Sequence, residues 1–180
     1  VVGLKTGDVP DLKRASTVIE RQVKVMSRLI DDLMDVSRIS QGKLELQREQ
    51  VDLHEVLADG IETCKPLFDE LGHQLELRLP EGPLWLDAGR TRLAQAFMNL
   101  VHNAAKYTNP GGLIRLEAQA TAETIDVTVT DNGIGIAADR LTSIFQMFSQ
   151  VEDALSRSRG GLGIGLSLTQ QLINMHGGTI

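Results

Sequence analysis

Two glycine-punctuated runs hold the residue types best suited to an anionic ligand: Asp131-Asn132-Gly133-Ile134-Gly135-Ile136 and Gly160-Gly161-Leu162-Gly163-Ile164-Gly165-Leu166. Asp131 closes the run Ile125-Asp126-Val127-Thr128-Val129-Thr130, whose alternation of apolar and polar residues predicts a half-buried strand. The second run opens a helical pattern through Leu166, Leu168, Leu172, Ile173 and Met175. Glycines at a helix start let backbone N–H groups reach an anion with no Cβ in the way. The helix dipole favours phosphate at that end. A carboxylate at a strand end facing a glycine-rich helix start is the chemistry of a nucleotide site, with the acid for the base and the amides for the phosphates.

A third group of polar residues lies upstream. A helix predicted from Arg90 to about Lys106 carries Asn99 and Asn103 in its interior, where asparagine is a poor choice. A spacing of four puts both amides on one face. Taken alone, such a pair is a solvent-facing polar stripe. With Asp131 and the glycine runs downstream, the amide oxygens become hard ligands for Mg²⁺, an ion that keeps much of its water and bridges phosphates. Lys106, with Tyr107 beside it, is then placed as a phosphate contact.

These residues need a frame. From Pro10-Asp11 onward Leu12, Ser16, Ile19, Val23, Met26, Ile30, Leu33 and Ser37 alternate spacings of four and three, a heptad seam that Gly42 ends. Its length beside a separate globular pattern favours a helix taken from a bundle or dimer. Leu44-Glu45-Leu46 is a short strand candidate. Asp52, with Glu55 three residues on, predicts a capping box for a helix running to about Gly72. Leu75, Leu77 and Leu79 alternate as a strand, and Leu84-Trp85-Leu86 is another. The turn Asn109-Pro110-Gly111-Gly112 precedes Ile114, Leu116 and Ala118, which pair with Ile125, Val127 and Val129 as a hairpin. The mixture is α+β, one sheet layered against helices.

Bulk properties exclude several classes. A net charge of −6 without any basic run argues against a nucleic-acid surface. The single cysteine, Cys64, leaves no internal disulfide and suggests a reducing, cytoplasmic compartment; its apolar helical setting reads as packed core. No apolar run reaches the ~18 residues of a membrane span, and no signal peptide is present. The chain opens on Val1, so it is read as part of a longer parent, which is free to be membrane-anchored elsewhere.

Asn99-Leu-Val-His-Asn-Ala-Ala-Lys-Tyr-Thr108, then Asp-x-Gly-x-Gly from Asp131, then Phe145-Gln-Met-Phe148, then Gly160-Gly-Leu-Gly-Ile-Gly-Leu166 resemble, in order and spacing, the N box, first glycine box, F box and second glycine box of sensor histidine kinases. These motifs lie within residues 84–178 and belong to the family's catalytic ATP-binding domain, of the GHKL superfamily. Residues 29–46 resemble the second helix of its dimerisation and phosphotransfer domain. The resemblance implies a Bergerat-type fold, a two-layer α/β sandwich whose mixed, mostly antiparallel sheet packs on helices, preceded by one long coiled-coil-like helix. It implies a boundary near residue 50, with the leader and dimerisation helix before it and the catalytic domain at 51–180. It also implies a role for each matched residue. Asp131 meets the adenine amino group, and Tyr107 flanks the ring. Asn99, Asn103 and Lys106 hold Mg²⁺ and the phosphates of ATP. Gly133, Gly135 and Ile136 pass close to the nucleotide. Gly161, Leu162, Gly163, Ile164, Gly165 and Leu166 form the hinge and phosphate-binding helix start. Residues 137–160 form a mobile lid, with Phe145 and Phe148 as its hydrophobic anchor.

The expected partners are a homodimer mate in the parent, a first dimerisation helix carrying the acceptor histidine, and a response-regulator receiver domain. Two departures from the family pattern stand out. No histidine here sits in the acceptor context: His54, His73, His102 and His176 read as packing or surface residues. The sequence also stops at Ile180, where the family continues with further strand, leaving a sheet edge open. Rival readings are a nucleotide-binding pseudokinase and a GHKL-type ATPase. The ATPases carry a glutamate where this chain has Asn99, and an amide cannot take a proton from water.

Overall fold

The computed structural model describes residues 9–149 and 162–180. A 32-residue helix, α1 (Val9–Ser40), comes first and ends before the left-handed Gly42. It leads to strand β1 (Glu49–Asp52), helix α2 (Leu53–Leu71), strands β2 (Gln74–Arg78) and β3 (Trp85–Ala88), and helix α3 (Arg90–Tyr107). The hairpin β4 (Leu113–Ala120) and β5 (Ile125–Asp131) follows, then a single 3₁₀ turn at Ala138–Arg140 and helix α4 (Gly165–Met175). The order of strands in the main sheet is β2-β4-β5. β2 runs parallel to β4, with α3 in the crossover, and β4 runs antiparallel to β5 with Leu116 opposite Val129 and Ala118 opposite Val127. β1 and β3 form a separate antiparallel pair.

Alternation explains the layering. Ile114, Leu116 and Ala118 of β4 point into the core, where they meet Leu53, Val56, Leu57, Cys64 and Phe68 of α2 and Leu93, Phe97, Val101 and Ala104 of α3. Arg115 and Glu117 point to the other face, where Glu76 bridges Arg115 at 2.8 Å and Arg78 at 2.7 Å. Asp52 caps α2 as its type predicts, accepting from the His54 N–H at 3.1 Å. The second half of the capping box is diverted, because the Glu55 carboxylate takes the Arg90 guanidinium at 2.6 Å.

The strand expected at Leu44–Leu46 is connector instead, and the strand lies at Glu49–Asp52. The reason is the partner. β3 is extended over residues 85–88, and its register pairs Glu49 with Ala88 and Asp52 with Trp85, so no extended backbone lies opposite residues 44–46.

A second, smaller core lies at the other side of α3. Val36 from the last turns of α1, Ala96 of α3, and Ile164, Leu168 and Leu172 beside and within α4 are all buried together. Asp35 of α1 accepts from Arg92 Nη1 at 2.5 Å and from Gln95 Nε2 at 3.1 Å, which fastens α1 to α3. The heptad seam itself is uncovered: Ile19, Val23, Met26 and Ile30 are 55–62% exposed. No helix among the described residues is long and apolar enough to cross a membrane.

A bare seam of this kind associates weakly, since it lacks the partner helix that would complete a bundle. Sedimentation of the chain is expected to show weak, concentration-dependent self-association. Val23→Glu with Ile30→Glu should abolish it and change folding stability by no more than about 0.5 kcal/mol per site, because both side chains already face solvent. A tight dimer that persists on dilution would show that this helix suffices alone.

Candidate active site

α3 presents different residues to its two sides. Leu93, Phe97 and Val101 face the main core. Ala96 and Asn99, three apart, turn toward α4 and α1. Asn99 is 2% exposed, so its amide must find partners inside the protein. Nδ2 donates to the Gly165 carbonyl at a long 3.4 Å, and Oδ1 accepts from Arg28 Nη2 at 2.8 Å. The same Gly165 carbonyl accepts the Thr169 hydroxyl at 2.9 Å. Asn99 and the glycine-run helix start, separated by some sixty residues in the chain, are therefore in contact. Asn103, one turn further on, is half-buried.

The loop after β5 is seated on the end of the same helix. Asp131 Oδ1 accepts from the Gly133 N–H at 2.9 Å, and the Ile134 N–H donates to the Tyr107 carbonyl at 3.2 Å. A Cβ at position 133 would lie 2.4 Å from that carbonyl oxygen, so only glycine fits. The Asp131 carboxylate stays exposed at the rim, and Ile134 and Ile136 beside it are 47% exposed. Gly135 has φ +70° with open space beside it. Lys106 holds its ammonium 4.7 Å from the centroid of the Tyr107 ring. Asn132, which the motif reading passed over, accepts from the Leu113 N–H at 2.9 Å and pins the loop to β4. Its signal was its type, since Asn directly after a strand braces turns through its side chain.

The F box and the second glycine run are stitched together by backbone. The Phe148 N–H donates to the Gly163 carbonyl at 3.1 Å. Gly163 has φ +69°, and a Cβ there would meet the Ser149 carbonyl oxygen at 2.4 Å. Phe145 is half-buried, but the Phe148 ring is 61% exposed and its backbone sits at φ +63°. Phe148 is held by its backbone, and its ring faces outward. Ile164 is buried, Leu166 half-buried and Leu162 exposed. The hinge residue Gly161 and the lid residues 150–160 lie outside the described residues.

Three of the four histidines are committed to structural hydrogen bonds. Both ring nitrogens of His54 face acceptors, Asp52 Oδ1 at 2.9 Å and the Pro80 carbonyl at 3.1 Å; the Asp52 bond holds the imidazole above its ordinary range. His73 Nε2 donates to the Ala105 carbonyl at 2.9 Å. His176 Nδ1 donates to the Leu172 carbonyl at 2.7 Å while Nε2 accepts from the Gly89 N–H at 3.1 Å. His102 differs. Burial first, then the charges of Arg28 and Lys106, push it down to about 4.

Amide oxygens from Asn99 and Asn103 suit a hard cation. Among the described residues no cluster of three His, Cys, Asp or Glu side chains could hold a metal without help. Such oxygens suit Mg²⁺ carried in with phosphate oxygens and water, although Asn99 Oδ1 is here taken by Arg28.

Residues 88–180 match the family described as histidine kinase-, DNA gyrase B-, and HSP90-like ATPase. The chain is 36% identical over 150 residues to the histidine protein kinase DivJ of Caulobacter vibrioides, covering 83% of this chain and 25% of that protein. It is 30% identical over 162 residues to the signal transduction histidine-protein kinase BaeS of Escherichia coli, covering 90% of this chain and 34% of that protein. The fold is similar to that of the histidine kinase AdeS of Acinetobacter baumannii, with a TM-score of 0.71 and 24% identity over 96% of this chain and 77% of that one. The chain thus spans about a fifth to a third of the length of the curated relatives it matches.

The depressed His102 has a consequence for stability. The unfolded chain takes up this proton near 6.5 and the folded chain only near 4. Stability present in full above 6.5 is thus lost as pH falls through that window. Urea unfolding of His102→Gln against the native protein is expected to show the variant relatively better at pH 4 than at pH 7, by up to about 3 kcal/mol. Equal pH slopes for the two proteins would contradict it.

Proposed function

The chain belongs to the histidine kinase-, DNA gyrase B-, and HSP90-like ATPase family, and from that premise we propose that residues 51–180 are the ATP-binding catalytic domain of a sensor histidine kinase. On this reading α1 and its leader are the second helix of a dimerisation and phosphotransfer domain. The observation that carries the choice of kinase over ATPase is Asn99. Its Nδ2 faces the Gly165 carbonyl oxygen, a contact that needs a donor. A glutamate there would set oxygen against oxygen, and the amide has no basic site with which to activate water. ATP is thereby kept for transfer.

The residues would divide the work as follows. Asp131 accepts a hydrogen bond from the adenine amino group, and Tyr107 packs beside the ring. Gly133 and Gly135 keep the loop backbone clear of the nucleotide. The start of α4, from Gly163 to Leu166, offers N–H groups and its dipole to the phosphates. Asn99, Asn103 and Lys106 would hold Mg²⁺ and the phosphate oxygens. When bound, the ion neutralises charge on the β- and γ-phosphates. Transfer breaks the bond between the γ-phosphorus and the bridging oxygen, and ADP leaves. It forms a phosphorus–nitrogen bond on an imidazole that gives up a proton. The chain's contribution is position and charge complementarity. The acceptor histidine would lie on a first dimerisation helix, since His54, His73 and His176 are spent on structural bonds. A receiver domain of a response regulator would take the phosphoryl group next.

Calorimetry with ADP and Mg²⁺ tests the site. Asp131→Ala should weaken binding about tenfold, the effect of losing a hydrogen bond to a charged group. Equal affinity would remove the adenine contact assigned here. With γ-labelled ATP, the chain alone should stay unlabelled, whereas an added dimerisation helix pair with its histidine should acquire acid-labile, base-stable label. Label on the chain's own histidines would overturn the assignment of the acceptor. Absence of transfer despite nucleotide binding would make the chain a pseudokinase.

A further inference from the structure

Arg28 belongs to a helix assigned to dimerisation, yet its guanidinium reaches the centre of the nucleotide site. Nη2 donates to Asn99 Oδ1 at 2.8 Å. The other polar end of that amide is turned to the Gly165 carbonyl, so Oδ1 is the atom left for a cation or donor, and Arg28 has it. The side chain is held in place by the helix beneath it. Asp35, two turns along, is clamped by Arg92 and Gln95, and Val36 is buried against Ile164, Leu168 and Leu172. Asp32, a turn from Arg28, is itself buried, and burial raises its carboxyl above the ordinary range while the Arg28 charge pulls it back. The guanidinium thus extends from a docked helix to an oxygen that phosphate-bound metal would use.

Two cations cannot share that oxygen cheaply. A Mg²⁺ ligand sits about 2.1 Å from its metal. With Arg28 within hydrogen-bond distance of the same atom, the like charges would lie within about 5 Å of each other, where repulsion is strong unless water intervenes. We propose that Arg28 is an autoinhibitory contact: docked α1 occupies the Asn99 oxygen with a guanidinium, and metal-loaded nucleotide displaces Arg28 and loosens α1. This rests on the assignment of Asn99 as a metal ligand made above. Linkage makes the effect reciprocal. Whatever pulls α1 from the catalytic domain raises metal-dependent nucleotide affinity, and metal-loaded nucleotide releases α1.

The test compares ADP binding with Mg²⁺ and with EDTA for the 180-residue chain, Arg28→Gln and Arg28→Ala. In EDTA the three affinities should agree within about twofold. The gain on adding Mg²⁺ should be about tenfold larger in both variants, as expected for removal of a charge-assisted hydrogen bond from the ligand atom. Amide hydrogen exchange on the unsubstituted chain gives a second reading that needs no variant. Residues 25–40 should exchange faster with Mg²⁺–ADP than with ADP in EDTA. ADP binding with the same Mg²⁺ gain in all three proteins overturns the inference alone. A smaller gain in the variants also overturns it and makes Arg28 a phosphate contact. Absence of any ADP binding overturns the nucleotide reading and the inference with it.

Discussion

A buried amide must be satisfied from inside the protein, and at Asn99 that requirement joins three parts of the chain. Asparagine in a helix interior gives up helix propensity, and burying it unpaired costs further free energy. The side chain offers donors at one end and an acceptor at the other. The donor end meets the start of α4 and the acceptor end meets α1. Since Gly165 opens α4, this contact sets how far the glycine-rich start lies from α3. The Asp131 loop is referred to the same helix, through the Tyr107 carbonyl. α3 is thus the ruler against which both halves of the site are placed, and its other face is fixed by the main core.

The two glycine runs act through close approach of backbones as much as through flexibility. At Gly133 the loop lies on the end of α3, and at Gly163 the glycine run lies on Ser149. In both places a methyl group would force carbonyl oxygens apart, and the halves of the site would separate. Phe148 shows the other side of this constraint. Its left-handed backbone carries strain that a non-glycine residue bears only where surrounding bonds hold it, and its bond to Gly163 is one of them. Its exposed ring, like those of Ile134 and Ile136, offers apolar surface beside the site.

Local rules made much of this readable from sequence. The β4–β5 pairing follows from alternation and a short turn, and the Asp52 cap follows from residue type. The asparagines, Asp131 and the glycines could be grouped because their order and spacing are those of one family. The failures have physical causes. Strand β1 was placed too early because a strand exists where its partner is extended, and that partner is about thirty-five residues away. Arg28 could not have been found at all. On a heptad helix it reads as one more solvated charge, and its partner is 71 residues distant.

The two cores differ in kind, and that difference bears on what can move. The main core is large and aliphatic, with Leu53, Val56, Val101, Ile114 and Leu116 nearly inaccessible. Burial of that sort is worth roughly 25 cal/mol per Å² and is lost only on unfolding. Among the described residues, the corner that holds α1 has one fully buried apolar side chain from that helix, Val36, with Ile39 partly buried beside it, and Asp32, Asp35 and Arg28 meet polar partners there. Hydrogen bonds to charged groups contribute about 1.5–3 kcal/mol each when kept and can be exchanged for water when the helix leaves. α1 is therefore joined to the catalytic domain by contacts of the strength a ligand can oppose. The core that positions the nucleotide site is held by contacts a ligand cannot disturb.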